Sequence, residues 1–384
     1  MRGLTVRTAL AAIPLAAMAC GSPEGGTAPS AVPRTYLLGT HDTGVRLFDL
    51  GQDGRLTAAS LGDVILPVTQ TPTGPFVDPE RRLVYLFDAG GGFLNAYRID
   101  SSTGALILWG RAEVPLDKAR AVVDPSGRFL YAVSGLSALG FRIDTQAGLA
   151  LLPLPMSPIT APEEDGYPRL GSFEFSPSGR FVWLNGKQRT GPWGYPRTSR
   201  ELLLSFRVLD TGELEPTGSR HVGVWDGDRS NLVTTPGEQF AFLGRRESLG
   251  VDPGVTRYRV DPVSGTLTEE GNLRGTYCGF LHVTPSGRWL LAGPDQLQVF
   301  ENQAEGLVHR HTVDLPVAEG PRPLVQHGAY VYVNTSWRTS EGYTLGTRLA
   351  VLRFDEGSGA LAPIQELQVP GVRLASLAIA SLTP

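Results

Sequence analysis

Short apolar runs alternate with polar turns along almost the whole chain, and they do so in two recurring forms. In the first, a turn built around Pro, Ser and Gly precedes an apolar, aromatic run. It reads DPSGRFLYAVSG at 124–135, SPSGRFVWLNG at 176–186, TPSGRWLLAG at 284–293 and, less closely, DPERRLVYLFDA at 78–89. In the second, an alternating run ends in a polar turn that carries Gly, then usually one residue, then Leu. It occurs seven times, at 45–56, 94–106, 139–149, 202–214, 255–267, 297–307 and 349–361. The marker glycines are Gly54, Gly104, Gly148, Gly212, Gly265, Gly306 and Gly359, spaced 50, 44, 64, 53, 41 and 53 residues apart. A repeat of that length marks a solenoid, a propeller or an array.

The period inside the runs is two, and Val, Leu, Phe and Tyr dominate them, so they read as strands. Gly in each turn supplies the positive φ that a tight hairpin needs. No window carries a long 3.6-residue amphipathic period. Each repeat predicts four antiparallel strands: an inner strand that leads into the PSGR turn, a second strand such as FLYAVS (129–134), a third of the YRID type, and a fourth that begins after Gly-x-Leu. Seven such units predict an all-β, seven-bladed β-propeller over residues 35–384, which removes most open sheet edges by radial repetition. The first unit starts at TYLLG (35–39) and lacks an inner strand, whereas RLASLAIASLTP (373–384) follows the seventh and resembles RLGSFEFSPSG (169–179). The C-terminal strand is therefore expected to complete the first blade and to close the ring by pairing with the N-terminal strand.

Composition narrows the function classes. The 47 Gly and 30 Pro suit a turn-rich fold, and a formal charge of −4 argues against a nucleic-acid partner. The N-terminus, MRGLTVRTALAAIPLAAMAC, puts Arg2 and Arg7 ahead of a short apolar stretch at 8–19. That stretch is too short to span a bilayer and suits an export signal. AMAC, ending in Cys20, looks like the lipobox of bacterial lipoproteins, in which the cysteine is acylated. Residues 1–19 are thus expected to be a signal peptide, Cys20 a lipid anchor, and 20–34 a flexible tether holding the domain at the periplasmic face of a membrane or at the cell surface. Cys278 then lacks a disulfide partner and reads as a small buried apolar residue.

The opening LLGTHDTGVRLFDLGQDGRL (37–56), the PSGRFLY turns and the YRID..TGAL segments resemble the lactonase family of seven-bladed propellers, which includes the bacterial 6-phosphogluconolactonases. The resemblance covers nearly all of 35–384 and implies that fold, with hydrolysis of sugar lactones as the associated activity. The family's Pro-His-x-His stretch is matched by PRLGSFEFSPSG, where Arg169 and Gly171 stand at the histidine positions. Its Asp-Leu-Gly element is replaced by WLNG (183–186), and its late Asn-Arg pair is met only loosely by Asn334 and Arg338. For a hydrolase of this type, Arg169 or Arg229 would hold a carboxylate or stabilise an oxyanion, and His282 would be the remaining base.

In a propeller the inner-to-second and third-to-fourth turns share one face, and here both are short and uniform. The other two connections share the opposite face around the channel mouth. They are long and varied, at 155–170, 186–201, 221–231, 272–279 and 334–348, which is where binding usually resides. Trp193, Tyr195, Trp225, Tyr277 and Trp337 stand there with Arg229, Arg338, Asp228 and Asn231. With Arg120 and Arg373 they form the candidate ligand-binding set. Aromatic faces stack on sugar rings or fill protein pockets, and Arg forks bind carboxylate or phosphate. The acidic run Glu163–Asp165, the Asp226/Asp228 pair and the scattered histidines, His309 and His311 among them, do not make up a metal site. No cofactor is expected, since the tryptophan-docking repeats of quinone-dependent propellers are lacking. Two functions follow: a lipid-anchored propeller that holds a small anionic or sugar-like ligand or an envelope protein, or a diverged lactone hydrolase.

Overall fold

The computed structural model describes residues 34–65, 72–78, 82–100, 103–116, 120–134, 137–146, 148–155, 169–190, 198–225, 231–245, 254–275, 280–293, 296–315, 324–338 and 344–382. Every regular element among them is a strand. β1 (Arg34–His41), β2 (Gly44–Leu50) and β3 (Leu56–Ile65) belong to blade 1. Blade 2 is β4 (Thr73–Asp78), β5 (Leu83–Asp88), β6 (Phe93–Ile99) and β7 (Leu106–Glu113). Blade 3 is β8 (Arg120–Val123), β9 (Phe129–Ser134), β10 (Ser137–Asp144) and β11 (Ala150–Pro153). Blade 4 is β12 (Arg169–Phe175), β13 (Phe181–Thr190), β14 (Thr198–Val208) and β15 (Leu214–Trp225). Blade 5 is β16 (Asn231–Thr234), β17 (Phe240–Arg245), β18 (Gly254–Val260) and β19 (Leu267–Arg274). Blade 6 is β20 (Phe280–Val283), β21 (Trp289–Gly293), β22 (Gln296–Gln303) and β23 (Gly306–Asp314). Blade 7 is β24 (Leu324–His327), β25 (Tyr330–Arg338), β26 (Thr344–Phe354) and β27 (Leu361–Pro370). The last strand, β28 (Ser376–Leu382), pairs antiparallel with β1 from Arg34↔Leu382 to Thr40↔Ser376 and supplies the inner strand of blade 1.

The turns explain why the strands stop where they do. The residue opening each PSGR-type turn folds back on the amides that follow. Asp124 accepts from Ser126 N at 3.1 Å and Phe129 N at 2.6 Å. Ser176 Oγ accepts from Phe181 N at 3.1 Å, and Thr235 Oγ1 from Gln239 N at 3.1 Å. These side chains satisfy backbone groups that the hairpin leaves unpaired. All seven glycines of the Gly-x-Leu turns have positive φ, from 70° at Gly265 to 144° at Gly306. A side chain at these positions would be strained.

Burial follows the ring. Each second strand is apolar on both faces, because each blade packs a neighbour on either side. Tyr36, Leu38, Val84, Leu86 and Tyr97 form the seam between blades 1 and 2. Equivalent clusters fill the seams 2–3, 3–4, 4–5, 5–6 and 6–7. Leu37, Phe48, Tyr332 and Leu349 join blade 7 back to blade 1. Seven blades in a ring thus share seven seams, and the expected closure through β28 is the pairing found.

Two segments expected as loops are largely strand. β13 and β14 stay paired out to Thr190↔Thr198, and β25 and β26 to Arg338↔Thr344. Antiparallel pairing continues for as long as both backbones stay extended, and the β-branched threonines at these ends favour that. β13 is 10 residues long against 6 for β5, so at about 3.4 Å per residue it rises roughly 14 Å further. Blades 4 and 7 thus raise hairpins on the loop-rich face.

Candidate functional site

The inner strands run the same way, so their first residues gather around one mouth of the channel. Three arginines stand at or beside these starts. Arg120 is the first residue of β8, Arg169 is the first of β12, and Arg373 lies three residues before β28. Arg120 and Arg373 are exposed. The backbone around Arg373 is held firmly. Leu374 N donates to Thr347 Oγ1 at 2.9 Å, Leu374 O accepts from Asn334 Nδ2 at 2.5 Å, and Ala375 N donates to Thr40 O at 2.7 Å. Fixing the backbone just after Arg373 lowers the cost of ordering that arginine. Asn231 opens β16 and also lies at the mouth, opposite Gly244. Trp225 ends β15, paired with Ser199, while Trp337 and Arg338 end the raised strand β25.

Deeper along the channel, inner strands β20 and β24 meet at His282 and Gln326, whose Nε2 and Oε1 are 3.2 Å apart. Gln326 Nε2 donates to Gly328 O at 3.0 Å, which fixes the amide so that Oε1 faces the imidazole. His282 therefore donates from Nε2 and carries its free lone pair on Nδ1. Burial pushes its pKa down to about 4, against a smaller upward pull from Gln326. At neutral pH it is an uncharged imidazole of low basicity, which weakens it as a proton acceptor.

No protein-family model matches the chain. Over 223 residues, 56% of its length, the chain is 24% identical to a 6-phosphogluconolactonase of Cronobacter sakazakii, and the match spans 61% of that curated relative. The periplasmic gluconolactonase PpgL of Pseudomonas aeruginosa superposes with a TM-score of 0.65 at 17% identity, covering 92% of this chain and 100% of its own. A Bacteroides fragilis protein provisionally assigned as a 6-phosphogluconolactonase gives 0.64 at 16%, over 93% and 100%. The fold is that of the 6-phosphogluconolactonase-type propellers.

Against that lactonase-type frame, Asn334 has a structural task. It is 4% exposed, and its amide holds the Leu374 carbonyl beside Arg373. The family resemblance matches it only loosely, with Arg338, to a late Asn-Arg pair, and only the bond to a segment forty residues away reveals this other role. His309 and His311 have separate partners, Thr312 Oγ1 at 2.9 Å and Ser358 O at 3.1 Å. Among the described residues no group of three or more His, Cys, Asp or Glu could hold a metal ion. Cys20, Glu163–Asp165, Trp193, Tyr195, Asp226, Asp228, Arg229, Tyr277 and Cys278 lie outside the described residues.

Proposed function

We propose that this lactonase-type propeller binds a small anionic, sugar-acid-like ligand at its loop-rich channel mouth, and that it does so outside the cytoplasm on a lipid anchor at Cys20. The observation that carries the reading is the placement of Arg120, Arg169 and Arg373 at or just before the starts of three inner strands. Guanidinium forks suit carboxylate and phosphate oxygens, and raised hairpins on blades 4 and 7 offer walls to a ligand seated between them. The basic and apolar leader ending in AMAC supports export, as does likeness to a periplasmic gluconolactonase.

Lactone hydrolysis is the second reading, favoured by the likeness to the Cronobacter enzyme. In that reaction water adds to the lactone carbonyl, the ring C–O bond breaks, and a hydroxy acid leaves as its carboxylate. An arginine at the mouth would steady the oxyanion, and His282 would have to accept the water's proton despite its low basicity.

Calorimetric titration of residues 21–384 with gluconate, 6-phosphogluconate and glucose tests the first reading. Both acids should bind and glucose should bind more weakly. The Arg120→Ala/Arg373→Ala variant should lose about 10- to 100-fold in affinity for the acids, the range for charge-assisted hydrogen bonds. Equal binding of glucose and gluconate, or no change in the variant, would refute it. Turnover of a lactone panel, lost in Arg169→Ala/His282→Ala, would establish the second reading.

A further inference from the structure

The seam between blades 5 and 6 is built differently from its neighbours. In blades 3, 4, 6 and 7 an aromatic side chain of the second strand donates to a carbonyl in a turn of the next blade. The bonds are Tyr131 Oη to Gly212 O at 2.6 Å, Trp183 Nε1 to Gly265 O at 2.9 Å, Trp289 Nε1 to Glu356 O at 2.9 Å, and Tyr332 Oη to Gly54 O at 3.0 Å. Blade 5 has Phe242 as the third residue of β17, with no donor to offer. The residue paired with it on β18 is Arg257. At the corresponding register blades 2, 3, 4, 6 and 7 place Ala96, Gly140, Ser205, Val299 and Val351.

Arg257 takes over the missing bond. It is 3% exposed, lies 3.9 Å over the Phe240 ring, and donates to Gln303 O and, at 3.3 Å, to Ala304 O in the β22–β23 turn. Its Nε lies 3.0 Å from Glu270 Oε2, and Arg259 Nε donates to Glu270 Oε1 at 2.6 Å. A buried guanidinium is thus fixed in place by groups from two blades.

An open cavity of about 510 Å³ adjoins it, between β18–β19 and the β22–β23 turn. That lies within the usual size of small-molecule sites. Gly271 and Gly306 both line the cavity, and a Cβ on either would meet nothing within 4 Å. Val255, Leu273 and Leu307 provide its apolar surface, and Arg257, Glu270, Asn272 and Glu305 its polar groups. Glu270 and Glu305 balance Arg257 and Arg259, so neither an anion nor a cation gains net attraction. A wholly apolar guest would cut the Asn272 amide off from water without pairing it. A guest with several neutral hydroxyls satisfies all these groups and can set its C–H face on the aliphatic patch.

We propose that this seam cavity is a second ligand site, distinct from the channel mouth, and that it takes a neutral sugar ring. Saturation-transfer NMR on the full chain, with glucose, galactose and N-acetylglucosamine as probes and gluconate as control, reads it directly. Gly271→Phe, directly opposite Arg257 on the neighbouring strand, fills the cavity beside the guanidinium, and Gly271 has no left-handed backbone to strain. At least one neutral sugar should bind, its affinity should fall tenfold or more in Gly271→Phe, and it should be unchanged in Arg120→Ala/Arg373→Ala. If Gly271→Phe fails to fold, Asn272→Ala, an exposed change, should show the same loss. The proposal fails if none of the three sugars binds up to about 50 mM, well above the millimolar range expected of a monosaccharide site. It fails equally if sugar binding survives filling of the cavity, or if it disappears with the mouth arginines.

Discussion

Glu238 occupies the backbone position that Gly127, Gly179 and Gly287 fill in sister blades, with φ of 53° against their 69°, 72° and 73°. A left-handed conformation costs a side-chain-bearing residue about 1 kcal/mol or more. The compensation lies across the 4–5 seam. Glu238 Oε1 accepts from Ser178 N at 2.8 Å and Oε2 from Arg180 Nη2 at 2.7 Å, with the Glu238 side chain 5% exposed. Arg180 is 59% exposed, so solvent screens its share and the backbone amide contributes most. Burial pushes the Glu238 carboxyl up, but the bonds from Ser178, Arg180 and Ser176 outweigh it and hold the group below the ordinary glutamate range. Glu238→Gly relieves strain worth about 1 kcal/mol but removes charged hydrogen bonds worth about 1.5–3 kcal/mol. A net loss of about 1–2 kcal/mol at pH 7 is expected from urea unfolding. Because the folded carboxyl is the more acidic one, its contribution is full above the ordinary glutamate pKa and fades as pH falls through and below it. Wild type and variant should therefore converge in acid. A variant at least as stable as wild type at pH 7 would mean that backbone strain dominates.

Element-level order was largely legible in the chain, and the reasons differ from feature to feature. The seven Gly-x-Leu turns could be read because only a positive φ closes those hairpins, and all seven glycines have one. Strand length could not, because it depends on how far the partner strand stays extended, and β13–β14 continues to Thr190↔Thr198. Arg120, Arg169 and Arg373 could be found because inner strands start near them. Arg257 was hidden, since in a strand that alternates polar and apolar only its pairing with Phe242 shows that it points into a seam. Blade 6 carries a comparable charged device at its surface. On β22, Glu301 Oε1 accepts from Arg288 Nη2 at 2.8 Å, and Oε2 from Arg310 Nη2 at 2.7 Å on the outer strand β23. These two arginines hold the carboxyl at about 2. Its stabilisation is complete above the ordinary value of 4.5 and is lost as pH falls toward 2. Glu301→Gln should lower the melting temperature at pH 7, and the difference should shrink to a small fraction of that by pH 2. A difference as large at pH 2 as at pH 7 would show that packing of the side chain, not its charge, is what matters.

At the scale of the whole molecule, the ring has one seam that the chain does not cover covalently within a blade: β1 and β28 meet only through hydrogen bonds and packing. Opening there would expose Leu37, Leu377 and Ala380 together and leave blade 1 without its inner strand. Thr35 and Ser381 are cross-strand partners with hydroxyls 3.3 Å apart, 346 positions distant in sequence. Opposed residues of an antiparallel pair lie within the Cα spacing that a disulfide accepts. In a chain with Cys20 and Cys278 changed to Ser, Thr35→Cys/Ser381→Cys should form that bond. Closing so long a loop lowers the entropy of the unfolded chain by an amount worth about 6 kcal/mol before any native strain is subtracted. For a domain of this size that corresponds to a rise in melting temperature of roughly 8 °C, abolished by reductant. A bond that forms without raising the melting temperature would place the first unfolding event in another seam. The 5–6 seam is then the expected place, since the guanidinium of Arg257 stands there where four other seams have an aromatic donor.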